Sequence, residues 1–207
     1  MMEKTMLTRR HFTTLTLAGL ATPSLLQGAK AQTPPSIDDV LFDPDQPVQG
    51  NPEGDLTIVE YFDYQCPFCK RNHPDLMRAV EEDGNIRLLM KDWPIFGASS
   101  VRATQLALGG LDDDSYAQAH AALMATPGRL SDRDVDAALR GAGMSPETLL
   151  AGYRRHRSRL DGLITRNSRQ AAAFGLSGTP AFIIGTVIYP GAMNAEDLAS
   201  AIVQARG

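Results

Sequence analysis

The chain carries two cysteines, and they stand three residues apart as Cys66-Pro67-Phe68-Cys69. Two cysteines scattered over a chain of this length would fall at that spacing about one time in a hundred, so the pair reads as a motif. It closes an apolar run, Val59-Glu60-Tyr61-Phe62, and opens a segment with helical spacing. A C-x-x-C at a β-to-α junction reads as a redox dithiol before it reads as a structural staple. A staple across so short a loop would also stabilise little, because closing it removes little unfolded-state entropy.

At 207 residues the chain has room for one domain with a full core, or one domain with an insertion. Residues 1–31 are expected to lie outside it. They run from Arg9-Arg10 through the mildly apolar Phe12 to Leu26 to Ala29-Lys30-Ala31, the order of a cleavable secretory signal. Thr8-Arg9-Arg10-His11-Phe12 also looks like a twin-arginine signal; Thr13 and Thr14 follow where Leu-Lys is often found, so both export routes stay open. Loss of residues 1–31 removes four basic residues (Lys4, Arg9, Arg10, Lys30) and one acid (Glu3). That leaves 16 basic against 23 acidic residues, a formal charge of −7. Such a balance argues against a nucleic-acid partner. Export would place the dithiol in an oxidising compartment.

Residues 32–50, rich in Pro, Asp and Gln, read as a lead-in arm with a short helical turn near Ser36 to Leu41. Asn51 to Asp55 is a turn signal, Leu56 to Phe62 a buried strand, and Pro67 sits at the first position of a helix that reaches Asp83-Gly84. Pro74 falls inside that helix and should kink it. Ile86 to Met90 is a second strand. About 97–173 is a run of helices, with Gly109-Gly110 and Pro127-Gly128 as stops and Ser131 and Ser145 as caps. Ala181 to Ile184 and Val187 to Tyr189 form a hairpin around Gly185-Thr186, and Asn194 caps a last helix.

Thiol–disulfide exchange needs an exposed thiolate and a second thiol to resolve the mixed disulfide. Cys66 begins the helix, where free N–H groups favour a thiolate, and Cys69 lies one turn on and further inside. Lys70, Arg71 and His73 add positive charge nearby. A soft metal such as copper on Cys66, Cys69 and His73 is the competing reading. Zinc lacks a second C-x-x-C, and haem attachment lacks a His at position 70.

With the strand, the C-P-F-C, the Pro-interrupted helix and Gly178-Thr179-Pro180 ahead of a hairpin, residues 32–207 resemble the DsbA-like family of exported thiol–disulfide oxidoreductases, the DsbA/DsbG/ScsC-type proteins. The resemblance implies an α/β, thioredoxin-like fold over 51–207 with a helical insertion between the second strand and a cis-proline hairpin. It implies Cys66 as the attacking and Cys69 as the resolving thiol. Thr179 and Pro180 would be a peptide-binding pair, with Pro180 cis, and Glu60 a buried acid that influences proton movement at the cysteines. A lone buried carboxylate would be costly, so Lys91 is the expected partner of Glu60 across the sheet. No cofactor is implied beyond a redox-active Cys66–Cys69 disulfide. The implied partners are unfolded or cysteine-containing exported proteins and a DsbB-like or DsbD-like membrane protein that resets the dithiol. Pro-Phe between the cysteines differs from the Pro-His of the strongest oxidases, and Thr179 is more like isomerases and ScsC-type proteins. Oxidase, isomerase or reductase, and a non-enzymatic copper-handling or holdase role all remain open at this point.

The other features have plainer readings. Arg154, Arg155, Arg157, Arg159, Arg166 and Arg169 fit a solvated helix face, and Asp112 to Asp114 a loop without the spacing of a calcium site. His120 and His156 are expected to be structural. Trp93 and Phe96 are divided between the core and a substrate face.

Overall fold

A computed structural model describes residues 35–207. The export-signal reading of 1–31 lies outside the described residues, as do the first residues of the 32–50 arm. Among the described residues no helix is long and apolar enough to cross a membrane.

Among the described residues, five strands form one sheet in the order β1-β3-β2-β4-β5, comprising β1 (Val48–Gly50), β2 (Leu56–Phe62), β3 (Ile86–Asp92), β4 (Ala181–Ile184) and β5 (Val187–Pro190). The central strands β2 and β3 are parallel, joined by α2 (Pro67–Asp83), and the other pairings are antiparallel. Both central strands are buried along nearly their whole length, which is why their sequences run apolar instead of alternating. Successive side chains point to opposite faces, so Ile58 and Phe62 meet one core while Val59 and Tyr61 meet another.

The larger core lies between the first face, α2, α8 (Ala195–Arg206) and the helical insertion. The insertion comprises α3 (Ala98–Leu108), α4 (Tyr116–Met124), α5 (Asp132–Gly141), α6 (Pro146–Arg155) and α7 (Arg157–Ala173). The smaller core joins the second face to Val40 of α1 (Ile37–Leu41) and to Ala171, Phe174 and Leu176 at the end of α7. Ser131, Ser145 and Asn194 each accept a backbone N–H of the following turn, the capping expected from their types. Gly84 ends α2 with φ +68°, a left-handed stop. Pro74 stands inside α2, and the helix continues through it.

The segment read as a lead-in arm supplies an edge strand: Val48↔Leu89, Gln49↔Leu88 and Gly50↔Arg87 pair antiparallel. Its acids also take up part of the arginine run. Asp43 and Asp45 accept from Arg166, at 2.8 and 2.7 Å. Arg159 reaches Asp112 at 2.7 Å, within a 3-10 turn, Leu111–Asp113. The predicted solvated face is therefore partly an ion-pair seam. β3 runs past Met90 through Asp92 because its ladder with β2 continues to Phe62↔Asp92.

Candidate active site

β2 ends at Phe62, and three residues carry the chain from there to Cys66, which caps α2. The Cys66 backbone is extended (φ −73°, ψ 115°), Pro67 takes the first helical position, and the Cys69 N–H donates to Cys66 Sγ at 3.3 Å. The sulfur thus occupies the place of a capping oxygen, against N–H groups that the helix leaves unpaired. Both cysteines are free thiols, and both are buried, Cys66 at 1% and Cys69 at 0% exposure. That corrects the expectation of an exposed thiolate. The Thr179 carbonyl stands against Cys66, accepting from its thiol at 3.1 Å.

The two sulfurs have opposed acidities. Cys66 is lowered to about 6, first by the Cys69 thiol donating to it, then by the Thr179 side chain and the N–H groups of Cys69 and Phe68, against the cost of burial. Cys69 is pushed far upward, first by burial, then by its bond to Cys66 and the charges of Glu60 and Cys66. At neutral pH the pair therefore holds one thiolate and one thiol.

Thr179 and Pro180 lie at the head of β4, and their peptide bond is cis. The Thr179 hydroxyl is buried with no partner in place, and rotation can turn it toward the sulfur. Glu60 lies under the dithiol with 0% exposure and neither carboxylate oxygen hydrogen-bonded. Burial, followed by the charge of Cys66, raises it to about 8. The expected Lys91 partner is absent. Glu60 is aligned with Met90, and Lys91 with Tyr61, so strand alternation sends Lys91 to the opposite face. There burial lowers the lysine to about 8, with Asp43 as its one favourable charge. Adjacent strands and opposite signs do not make a pair when the register is odd.

Lys70 and Arg71 are also engaged elsewhere: Lys70 Nζ donates to Thr126 Oγ1 and the Gly128 carbonyl, and Arg71 lies over the Phe68 ring. His73 packs against His120, ring centroids 4.9 Å apart, and among the described residues no three His, Cys, Asp or Glu are grouped as a metal ion would require.

Sequence reasoning missed two groups. Behind the dithiol, His120 meets Tyr64 (Nδ1 to Oη 3.1 Å) and stacks on Tyr116, which donates to Asp92 at 3.0 Å. Burial, and then His73, holds His120 well below the usual histidine range, so it is neutral; burial raises Asp92 to about 7. In front, Asp63 and Gln65 tie the loop before Cys66 to the start of α3. The available signal was an Asp two residues before a turn N–H, a local Asx pattern. The distant partners left no trace in local sequence.

A thioredoxin family model matches residues 43–204, and the chain belongs to that family. A thioredoxin-like oxidoreductase from Silicibacter pomeroyi is 34% identical, superposes with a TM-score of 0.78, and is matched over 83% of this chain and 98% of that one. A periplasmic thioredoxin-like protein from Salmonella enterica serovar Typhimurium is 30% identical (TM-score 0.73; 81% and 94% covered). The thiol-disulfide exchange protein alpha-DsbA2 from Wolbachia pipientis is 26% identical (TM-score 0.74; 81% and 90%). A curated relative, the Na(+)/H(+) antiporter NhaA 1 of Salinispora arenicola, is 28% identical over 171 residues. The match takes in 80% of this chain and 26% of the antiporter, so this chain spans about a quarter of that relative's length.

Proposed function

We propose that this protein is an exported thiol–disulfide oxidoreductase that acts on cysteines of other proteins and works as an oxidase. The observation that carries the reading is the opposed acidity of the two sulfurs, with Cys66 lowered to about 6 and Cys69 pushed well above its usual value. The oxidised form carries a Cys66–Cys69 disulfide. A substrate thiolate attacks Cys66 Sγ, the Cys66–Cys69 bond breaks, and Cys69 leaves as a thiolate that takes up a proton. A second substrate thiolate then attacks the substrate sulfur of the mixed disulfide, and Cys66 leaves as a stabilised thiolate. The substrate loses two electrons and the dithiol gains them. A low leaving-group pKa at Cys66 favours that last step.

Buried Glu60, close enough to feel the charge of Cys66, is suited to exchange a proton with Cys69. Thr179 and Pro180 offer backbone for a substrate segment, which would take the place of the Thr179 carbonyl against the sulfur. Export rests on the 1–31 reading, and a membrane partner of the DsbB or DsbD type would reset the dithiol. Isomerase or reductase use of the same site is the second reading, favoured by Thr179 before Pro180.

The test is trapping. Cys69→Ser, with Cys66 first converted to its mixed disulfide with glutathione, should release glutathione to a reduced, unfolded cysteine-containing polypeptide and accumulate a Cys66–polypeptide mixed disulfide, while Cys66→Ser treated in the same way should form none. Equal trapping by both variants, or by neither, would contradict the assignment.

A further inference from the structure

The residues leading into Cys66 are fastened to a neighbouring loop through one carboxylate. Asp63 is buried and accepts four hydrogen bonds. The Gln65 N–H (2.6 Å) and the Ser100 hydroxyl (2.7 Å) donate to Oδ1, and the Ile95 N–H (2.7 Å) and Phe96 N–H (3.0 Å) donate to Oδ2. The Asp63 carbonyl also accepts the Cys66 N–H at 3.0 Å. Gln65 adds a second tie, donating to the Phe96 carbonyl at 3.3 Å and to Ser100 Oγ at 3.2 Å. Residues 63–66 and loop 93–97 are therefore fastened to each other. That loop holds Ile95 and Phe96 at 40% and 39% exposure, and the helix that carries the dithiol exposes Phe68 at 53%. A buried carboxylate is expensive unless its hydrogen bonds are complete, and here they are complete only while loop 93–97 keeps its place.

We propose that Asp63 is a positioning residue for exchange with polypeptides. Its carboxylate holds loop 93–97 against the Cys66 loop, so that Ile95 and Phe96 stand as a preset apolar contact for residues flanking the substrate cysteine. The occupant is the substrate chain itself, because the loop is tied through Asp63 and Gln65 to the residues that lead into Cys66, the residue to which that chain is joined. Holding the two side chains in place before binding spares the ordering cost at the moment of binding. This rests on the oxidoreductase reading above. Glutathione, with little apolar surface, gains little from the contact, and that difference separates positioning from a general effect on the thiol.

The oxidised protein is reacted in parallel with a reduced, unfolded polypeptide and with reduced glutathione. Asp63→Asn keeps the shape but aims an amide N–H₂ at backbone donors. The expected result is a polypeptide rate lowered about tenfold, mainly through KM, with the polypeptide-to-glutathione rate ratio falling in step. Ile95→Ser combined with Phe96→Ser should lower the same ratio while Asp63 is intact, and Val203→Ser, an apolar position 71% exposed on α8, should keep the wild-type ratio. An unchanged ratio in Asp63→Asn overturns the proposal. If that variant does not fold, Ser100→Ala and the Ile95/Phe96 variant decide it, and an unchanged ratio in the latter overturns it alone. A wild-type protein that reacts with neither thiol overturns the oxidoreductase reading and this inference together.

Discussion

Cys66 acts as the cap of its own helix, and its acidity follows from that position together with one neighbour. The largest lowering influence is the Cys69 thiol, ahead of the Thr179 side chain and the backbone N–H groups. The reactive thiolate should therefore be populated above about pH 6 and lost as pH falls through that value. Alkylation of reduced protein by iodoacetamide should rise with a midpoint near pH 6. Cys69→Ala, which removes the leading donor, should move the midpoint up by roughly one unit or more. A midpoint near the ordinary thiol value in the wild type would contradict the account. At this scale much was legible: Cys66, Cys69, Thr179, Pro180 and Glu60, each singled out from the sequence, lie together in the structure. Lys91 does not join them, because its face depends on one residue of register that composition cannot supply. Asp63 went unread because the Ile95, Phe96 and Ser100 groups that occupy its carboxylate lie over thirty residues away.

Elements with strong local signals were read close to their observed limits, while weakly signalled ones were not. The capped helices α5, α6 and α8 begin where Ser131, Ser145 and Asn194 place them. β1 went unseen because three residues carry no periodicity, and its strand character comes from the edge of β3 that it completes. Gly109 read simply as a helix stop, yet it also lets α3 and α6 approach. A Cβ at Gly109 would lie 1.9 Å from the Leu149 carbonyl oxygen, and one at Gly152 would lie 2.2 Å from the Gly109 carbonyl oxygen. Gly109→Ala should accordingly destabilise the protein by about 1–3 kcal/mol in urea unfolding, as overpacking against backbone does. A stability within a few tenths of wild type would mean that the two helices separate easily.

Across the whole molecule, the sheet sorts its ionisable groups by face. Glu60 and the dithiol share the face that packs on α2 and the insertion, and Lys91 lies on the other, where it feels the charges of Asp43, Arg166 and Arg87. Buried with neither carboxylate oxygen hydrogen-bonded, Glu60 is protonated through neutral pH, and the Cys69 thiol, followed by Thr179 and the helix N–H groups, governs the Cys66 thiolate. A Cys66 pKa near 6, set against an ordinary thiol near 9, stabilises the folded dithiol form. The sign follows from the depressed folded value: the stabilisation is full above pH 9 and vanishes as pH falls through 6. At pH 7 it is about 1.4 kcal/mol, and an equal bias toward the reduced form raises the potential by roughly 30 mV. The equilibrium of Cys66–Cys69 with glutathione at pH 7 tests the central claim most directly. The account predicts a disulfide that forms and exchanges, with a potential near or above that of the glutathione couple. A disulfide that glutathione cannot reduce, or a dithiol that forms no Cys66–Cys69 bond, would contradict it.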